Sequence, residues 1–192
     1  MSREVRRVRV NLDPKNIDDL PFDEIKAILR GADDLIMRGG RSILAKILKG
    51  SKEKKVLEHN FNESPVYGYF SDLSIEEITA KIDWLILNGF LRIEYDYRLP
   101  LLVYTRKGWE IEMDTYTDEL LKEFDNLLES NNADFDMVYL KDRDREMILM
   151  LLDKVEATGN SRYIPILDAW KRIDYKKVRQ RINKVIEEIQ NQ

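Results

Sequence analysis

The chain has 192 residues, 43% hydrophobic and 35% charged, with a net charge of −4 and no cysteine. This is enough apolar residue for one packed domain or two small ones, and too much for a disordered chain. Disulfides and cysteine–zinc sites are excluded, and no apolar run approaches the roughly 20 residues of a membrane-spanning helix. The N-terminal MSREVRRVRV leads into no long apolar stretch, so no secretory signal is read and a reducing, cytoplasmic setting is expected.

The charge is unevenly spread. Residues 35–60 carry seven Lys/Arg against two acids, residues 112–153 four against thirteen, and residues 154–192 nine against five. A basic stretch inside an acidic total is an electrostatic footprint of nucleic-acid binding, although solvated helix faces produce such runs too.

Along the chain, VRVNLD alternates like a short strand, and PFDEIKAILRGADDLI has apolar residues at helical spacing behind Pro21. Gly39–Gly40 predicts a turn. SILAKILKG is a short amphipathic helix stopped by Gly50, and SKEKKVLEHNF is a second, with Ser51 as its expected N-cap. Ser74–Ile75–Glu76–Glu77 is a capping box. It opens a helix with Ile75, Ile78, Ile82, Leu85 and Ile86 on one face. FLRIEY and LLVYTR then form a β-hairpin, with a five-residue loop over Asp96–Pro100.

Three short helices followed by a hairpin is the winged-helix order. Beyond Trp109 the pattern is helical: TDELLKEFDNLLES, a polar linker NNADFDMVYLKD, DREMILMLLDKVEATGN, and an αα-hairpin with Asp174 capping between its helices. The expected fold is mainly α with a small β-hairpin wing (α+β). It divides into an N-terminal extension (1–37), a winged helix (38–111) and an α-helical module (112–192).

GRSILAKILKGSKEKK (40–55), the downstream PVYG (65–68), the capped helix 74–88 and TRKG (105–108) together resemble the C-terminal, or RQC, domain of RecQ helicases. The Gly-Ser-Lys step and the Tyr-Gly pair carry most of that resemblance. It implies a domain that binds duplex DNA where strands separate. RecQ helicases also carry an ATPase motor and a zinc module, yet the chain has no G-x-x-x-x-G-K-[ST] phosphate loop and no cysteine. It therefore looks like the minor, helicase-free branch, with no catalytic role and no cofactor. Separately, EATGNSRYIPIL (156–167) with Asp174 and Val178–Arg179 resembles a HEAT repeat, which must bury its face on a neighbour.

The best candidate site is Ser51, Lys52, Lys54 and Lys55, where a hydroxyl, helix amides and lysines suit a phosphate. Arg38 and Arg41 flank it. The wing tip is the second candidate. Strand alternation makes Tyr95 the packing residue and leaves Tyr97 to stack on a terminal base pair beside Arg98, with Lys107 at the hairpin's end. The helix before the wing shows Glu76, Glu77 and Asp83 against Lys81 alone, which opposes entry into a DNA groove and favours reading of shape and backbone.

His59, the single histidine, is read as structural, and Asp134 and Asp136 as linker rather than metal ligands. Trp84, Trp109 and Trp170 are read as core. The resulting expectation is a non-catalytic protein binding DNA ends, forks or junctions, an accessory factor in repair, replication or recombination. A protein partner is expected on its C-terminal helices, and no membrane or metal is involved. A sequence-specific regulator and a protein-interaction scaffold are the rival readings.

Overall fold

The computed structural model describes residues 7–130 and 135–191, and the chain divides into two compact units, Met1–Glu112 and Met113–Gln192. In the first unit α1 (Phe22–Ala32) opens behind Pro21, whose fixed φ suits a helix start. Its Ile25, Ile28 and Leu29 are buried, while Phe22 is exposed. These side chains share one core with α2 (Arg41–Lys49) and α4 (Ile75–Leu87). The boundary expected at residue 38 therefore falls inside this core, because α1 buries its apolar face against α2 and not in an extension of its own.

The VRVNLD stretch forms no regular strand. Gly39–Gly40, expected as a turn, instead runs beside the wing. The Met37 amide donates to the Leu102 carbonyl at 3.1 Å and the Leu102 amide to Gly39 at 2.9 Å. A Cβ on Gly40 would sit 2.8 Å from the Pro100 carbonyl oxygen, so the close approach needs glycine.

The capping box forms as read: the Ser74 hydroxyl accepts from the Glu77 amide, and the Glu77 carboxylate accepts from the Ser74 amide at 2.8 Å. The Ser74 hydroxyl also donates to the Glu77 carboxylate at 2.7 Å, and this bond, with the one from the Ser74 amide, lowers the Glu77 carboxyl's pKa from its ordinary value. Ile78, Ile82 and Leu85 are fully buried, but Ile75, in the first turn, is exposed. The wing pairs β1 (Leu91–Asp96) antiparallel with β2 (Leu99–Tyr104), with Tyr95 opposite Pro100 and Asp96 opposite Leu99. The connection is thus two residues, Tyr97–Arg98, and not five. Tyr97 closes it by taking a left-handed φ of 53°, the conformation that two-residue hairpins demand.

The Gly-Ser-Lys and Tyr-Gly signals explain each other in three dimensions. Gly50 (φ 76°) ends α2, and the Ser51 amide returns to the Lys46 carbonyl at 2.9 Å. Gly68 (φ 76°) backs directly onto it: a Cβ on Gly50 would lie 3.1 Å from the Gly68 Cα. The Gly68 amide donates to the Ile47 carbonyl at 3.0 Å, and the Tyr67 hydroxyl to the Ser51 carbonyl at 3.0 Å.

Ser51 does not cap the next helix, because that helix begins later, behind Glu53. α3 (Lys54–Glu58) is one turn begun by Glu53, whose amide donates to the Ser51 hydroxyl at 3.3 Å. Gly50→Ala should cost about 2 kcal/mol, since it adds left-handed strain to a tight backbone approach. Urea unfolding followed in the first unit tests this, and a parent-like midpoint would refute it.

α5 (Arg106–Glu129) starts directly after the wing, earlier than expected; its residues to Glu112 belong to the first unit and the rest to the second. The Thr105 hydroxyl accepts the Gly108 amide at 3.1 Å at its start. Trp109 in its first turn is half-buried and not core, whereas Trp84 and Trp170 are buried as expected.

α6 (Arg145–Thr158) is capped by Asp144 and closed by left-handed Gly159. α7 (Ile164–Ile173) and α8 (Lys176–Asn191) follow, with Asp174 between them. α8 buries Val178, Ile182, Val185 and Ile189 against α6 and α7. Within the expected polar linker, Met137 and Leu140 are buried, because that stretch packs a short 3₁₀ turn inward. Asp134 lies outside the described residues, and Asp136 accepts the Val138 amide at 3.0 Å.

Candidate nucleic-acid interface

The seven bases of residues 35–60 separate by what they touch. The Arg41 guanidinium reaches both carboxylate oxygens of Asp83, which is 2% exposed and also accepts the Asp13 amide at 2.9 Å. Arg41, expected as a flank of the site, therefore ties α2 to α4 through its guanidinium, while 24% of its side chain stays in water at the edge of a cleft shared with Arg9 and Lys55. Lys46 pairs with Glu53 at 2.6 Å, and Lys49 donates to the Ser71 carbonyl at 2.6 Å. Lys54 is exposed at 3.3 Å from Glu58, an i,i+4 contact of little worth in water. Arg38, Lys52 and Lys55 remain exposed.

Arg38 and Lys55 line one cleft of about 530 Å³ between α3 and the second wing strand, together with His59, Phe61, Leu99 and Pro100. His59 is exposed, its ring 5.5 Å from that of Phe61, so it lies at the surface and not in the core. Lys55 also borders an adjoining cleft, where Arg9 joins it. Sequence reading missed Arg9 and His59. The basic run at the N-terminus was the available signal for Arg9; nothing local pointed to His59.

The wing tip projects Tyr97, 67% exposed, with the Arg98 guanidinium 5.4 Å from its ring centroid. Tyr95 is half-buried, but its partner is the N-terminal segment. Its hydroxyl donates to the Val8 carbonyl at 2.9 Å, and Arg7 lies 5.1 Å over its ring. The Val8 amide in turn donates to the Arg98 carbonyl at 3.3 Å. Lys107 belongs to the opposite end of the hairpin. Its ammonium sits 3.6 Å over the Phe90 ring and 3.3 Å from the Asn88 carbonyl, so the fold does not bring it to the cleft.

The outer face of α4 is partly covered by the chain itself. Lys15 pairs with Glu76 at 2.8 Å, a bond that raises the lysine's pKa, and the Trp84 indole donates to the Asp18 carbonyl at 3.3 Å. Asp83, expected on this face, is buried against Arg41, and Lys81 pairs with Glu24. The exposed residues of α4 are Ile75, Glu76 and Glu77 in its first turn and Leu87 at its end. Burial pushes the Tyr104 hydroxyl well above its ordinary pKa, and it donates to the Leu29 carbonyl inside the fold.

Among the described residues no group of three or more His, Asp or Glu is placed to hold a metal, and no helix is long and apolar enough to cross a membrane.

A helical core with a two-stranded wing, flanked by exposed basic side chains, defines the first unit as a winged-helix domain. More narrowly, residues 22–116 match the RQC domain, and that segment is an RQC domain, a DNA-binding domain. An 88-residue stretch, 44% of the chain, is 36% identical to the ATP-dependent DNA helicase RecQ of Bacillus subtilis (strain 168). The match covers 15% of that relative's length. No solved structure matches the chain.

Proposed function

We propose that this protein is a non-catalytic DNA-binding factor that engages duplex ends, forks or junctions through backbone and shape, in repair, replication or recombination. The observation that carries the reading is the convergence of Arg38 and Lys55 on one cleft beside the wing, whose tip exposes Tyr97 and Arg98. Arg9 adds charge in the adjoining cleft, Lys52 is exposed on the loop before α3, and the cleft of Arg38 and Lys55 places no carboxylate among its lining residues. Ser51 supports this surface by holding the loop that carries Lys52. Arg41 is a positioning residue, and Lys107 is assigned to fold stability.

The partly covered, acidic face of α4 favours readout of backbone and shape over base edges, against a sequence-specific regulator. The second unit, read as a HEAT-like helical module, makes contacts beyond those of the wing.

The test is a salt titration of binding to forked, blunt duplex and single-stranded oligonucleotides. Forked and blunt DNA should bind more tightly than single strands, and binding should fall steeply between roughly 50 and 200 mM salt as neutralised phosphates release counterions. No binding to forked or duplex DNA at low salt would overturn the proposal and leave the scaffold reading in its place.

The wing makes a separate prediction. Tyr97→Ala should leave the melting temperature nearly unchanged, since the ring buries little, yet weaken binding to blunt or forked ends by roughly 1–3 kcal/mol, the worth of one base–aromatic stack. Tyr95→Phe, which removes only the hydroxyl bonded to Val8, should leave end binding within about twofold, a loss of roughly 0.4 kcal/mol or less. If Tyr97→Ala binds ends as well as the parent, the tip is not a stacking wedge.

A further inference from the structure

The second unit holds a pocket that the RQC segment does not account for. It is a cavity of about 550 Å³ between the approach to α6 and the start of α8, floored by the buried Ile148 and Val178. Five basic residues line it, Lys141, Arg143, Arg145, Lys176 and Lys177, against two acids, Asp142 and Asp174. The concentration runs against composition, because residues 113–192 carry seventeen acids and thirteen bases. Asp174 is buried and occupied: it accepts the Trp170 indole at 2.7 Å and the Tyr175 amide at 2.6 Å. Arg145, Lys176 and Lys177 are exposed.

Two further features favour an anion there. Lys176 and Lys177 open the 16-residue α8 with no acid in its first turn, so two ammonium groups sit at the positive end of the helix dipole, where cations are unfavourable. Backbone amides at the same end add to the attraction for a negative ligand. The single carboxylate at that end, Asp174, is engaged by the Trp170 indole and the Tyr175 amide, which leaves the two exposed ammonium groups to an anion at the mouth. At the lip, Tyr175 is 60% exposed, with the Lys141 ammonium 5.5 Å from its ring centroid.

We infer that this pocket binds one nucleotide unit of a single nucleic-acid strand, its phosphate at Arg145, Lys176 and Lys177 and its base against Tyr175. An exposed ring beside a cluster of cations is the combination that single-strand sites use. An acidic peptide fits less well. The described residues of this unit form helices and no strand edge for an extended peptide to join. The inference deepens the proposed function by adding a second contact of different specificity, but it does not need the wing to work.

The experiment is a ¹⁵N chemical-shift titration of the full chain with a dT hexamer, and separately with forked DNA and with a glutamate hexamer. The dT hexamer should shift Tyr175, Lys176, Lys177 and Ile148. Lys176→Glu with Lys177→Glu should weaken that titration at least tenfold while leaving the melting temperature equal or higher, because the new acids suit the helix dipole. Tyr175→Ala should weaken it severalfold, and Tyr175→Phe should restore it.

Shifts in this pocket from the glutamate hexamer but not from dT would overturn the inference in favour of an acidic protein partner. No shift from either would overturn it outright. Failure of the proposed wing function reads out elsewhere, as an absence of shifts at Arg38, Lys55 and Tyr97 with forked DNA.

Discussion

Replacing Arg38, Lys52 and Lys55 together with Ala should weaken binding to forked DNA by a factor on the order of 100 at about 0.1 M salt, and lower the salt slope by roughly 2.7. Each cation that neutralises a phosphate contributes about 0.9 to that slope, and these three are exposed, so their charge is available to a phosphate. The loss should be similar for every sequence tested, because backbone contacts carry no base information. The melting temperature should hardly move, since exposed substitutions change stability by about 0.5 kcal/mol or less.

The matching control is Lys46→Ala with Lys49→Ala. These residues lie in the same basic run, but they are held by Glu53 and the Ser71 carbonyl, and their loss should change the slope by less than about 1. Equal slopes for the two sets would mean that total charge matters and that the cleft does not.

Asp83→Ala should destabilise the first unit by about 3 kcal/mol, on the order of 15 °C in its melting temperature. Asp83 is 2% exposed and holds both the Arg41 guanidinium and the Asp13 amide, so its removal leaves a guanidinium without its counter-ion between α2 and α4. The estimate sits at the low end for buried pairs because the Arg41 side chain keeps 24% of its surface in water.

Arg41→Met combined with Asp83→Leu should recover most of the loss, since a packed apolar pair avoids desolvating two charges. The reading that distinguishes Arg41 from a phosphate ligand is the salt slope. Arg41→Ala should melt early yet bind folded forked DNA with an unchanged slope. Hydrogen exchange of α2 and α4 amides reports the stability change within this unit, and protection equal to the parent's in Asp83→Ala would refute the clamp.

Local spacing determined much of this protein from the sequence alone. The Ser74–Glu77 capping box, the apolar face of α4, the stop at Gly50, the two β-rich runs of the wing and the α7–α8 pair all depend on residues a few positions apart. The chemistry that sets such elements acts over a single turn or one strand pair. The Gly-Ser-Lys and Tyr-Gly signals were legible as motifs, although their reason, two left-handed glycines packed back to back, was not.

Tertiary structure alone decided which charges are free. Lys46, Lys49 and Arg41 find their partners 7, 22 and 42 residues away, and no periodicity within the basic run encodes those distances. The same holds for α1, whose core partners lie beyond the expected boundary, and for Gly39–Gly40, which the Leu102 backbone turns into an extended edge. It holds again for the second-unit pocket, where Lys141 and Lys176 meet across 35 positions of a locally acidic sequence. A residue's helix or strand is set largely by its neighbours in the chain. Whether its charge faces water is set by whatever the fold brings against it, and here that divided a uniform basic stretch into a scaffold and a surface.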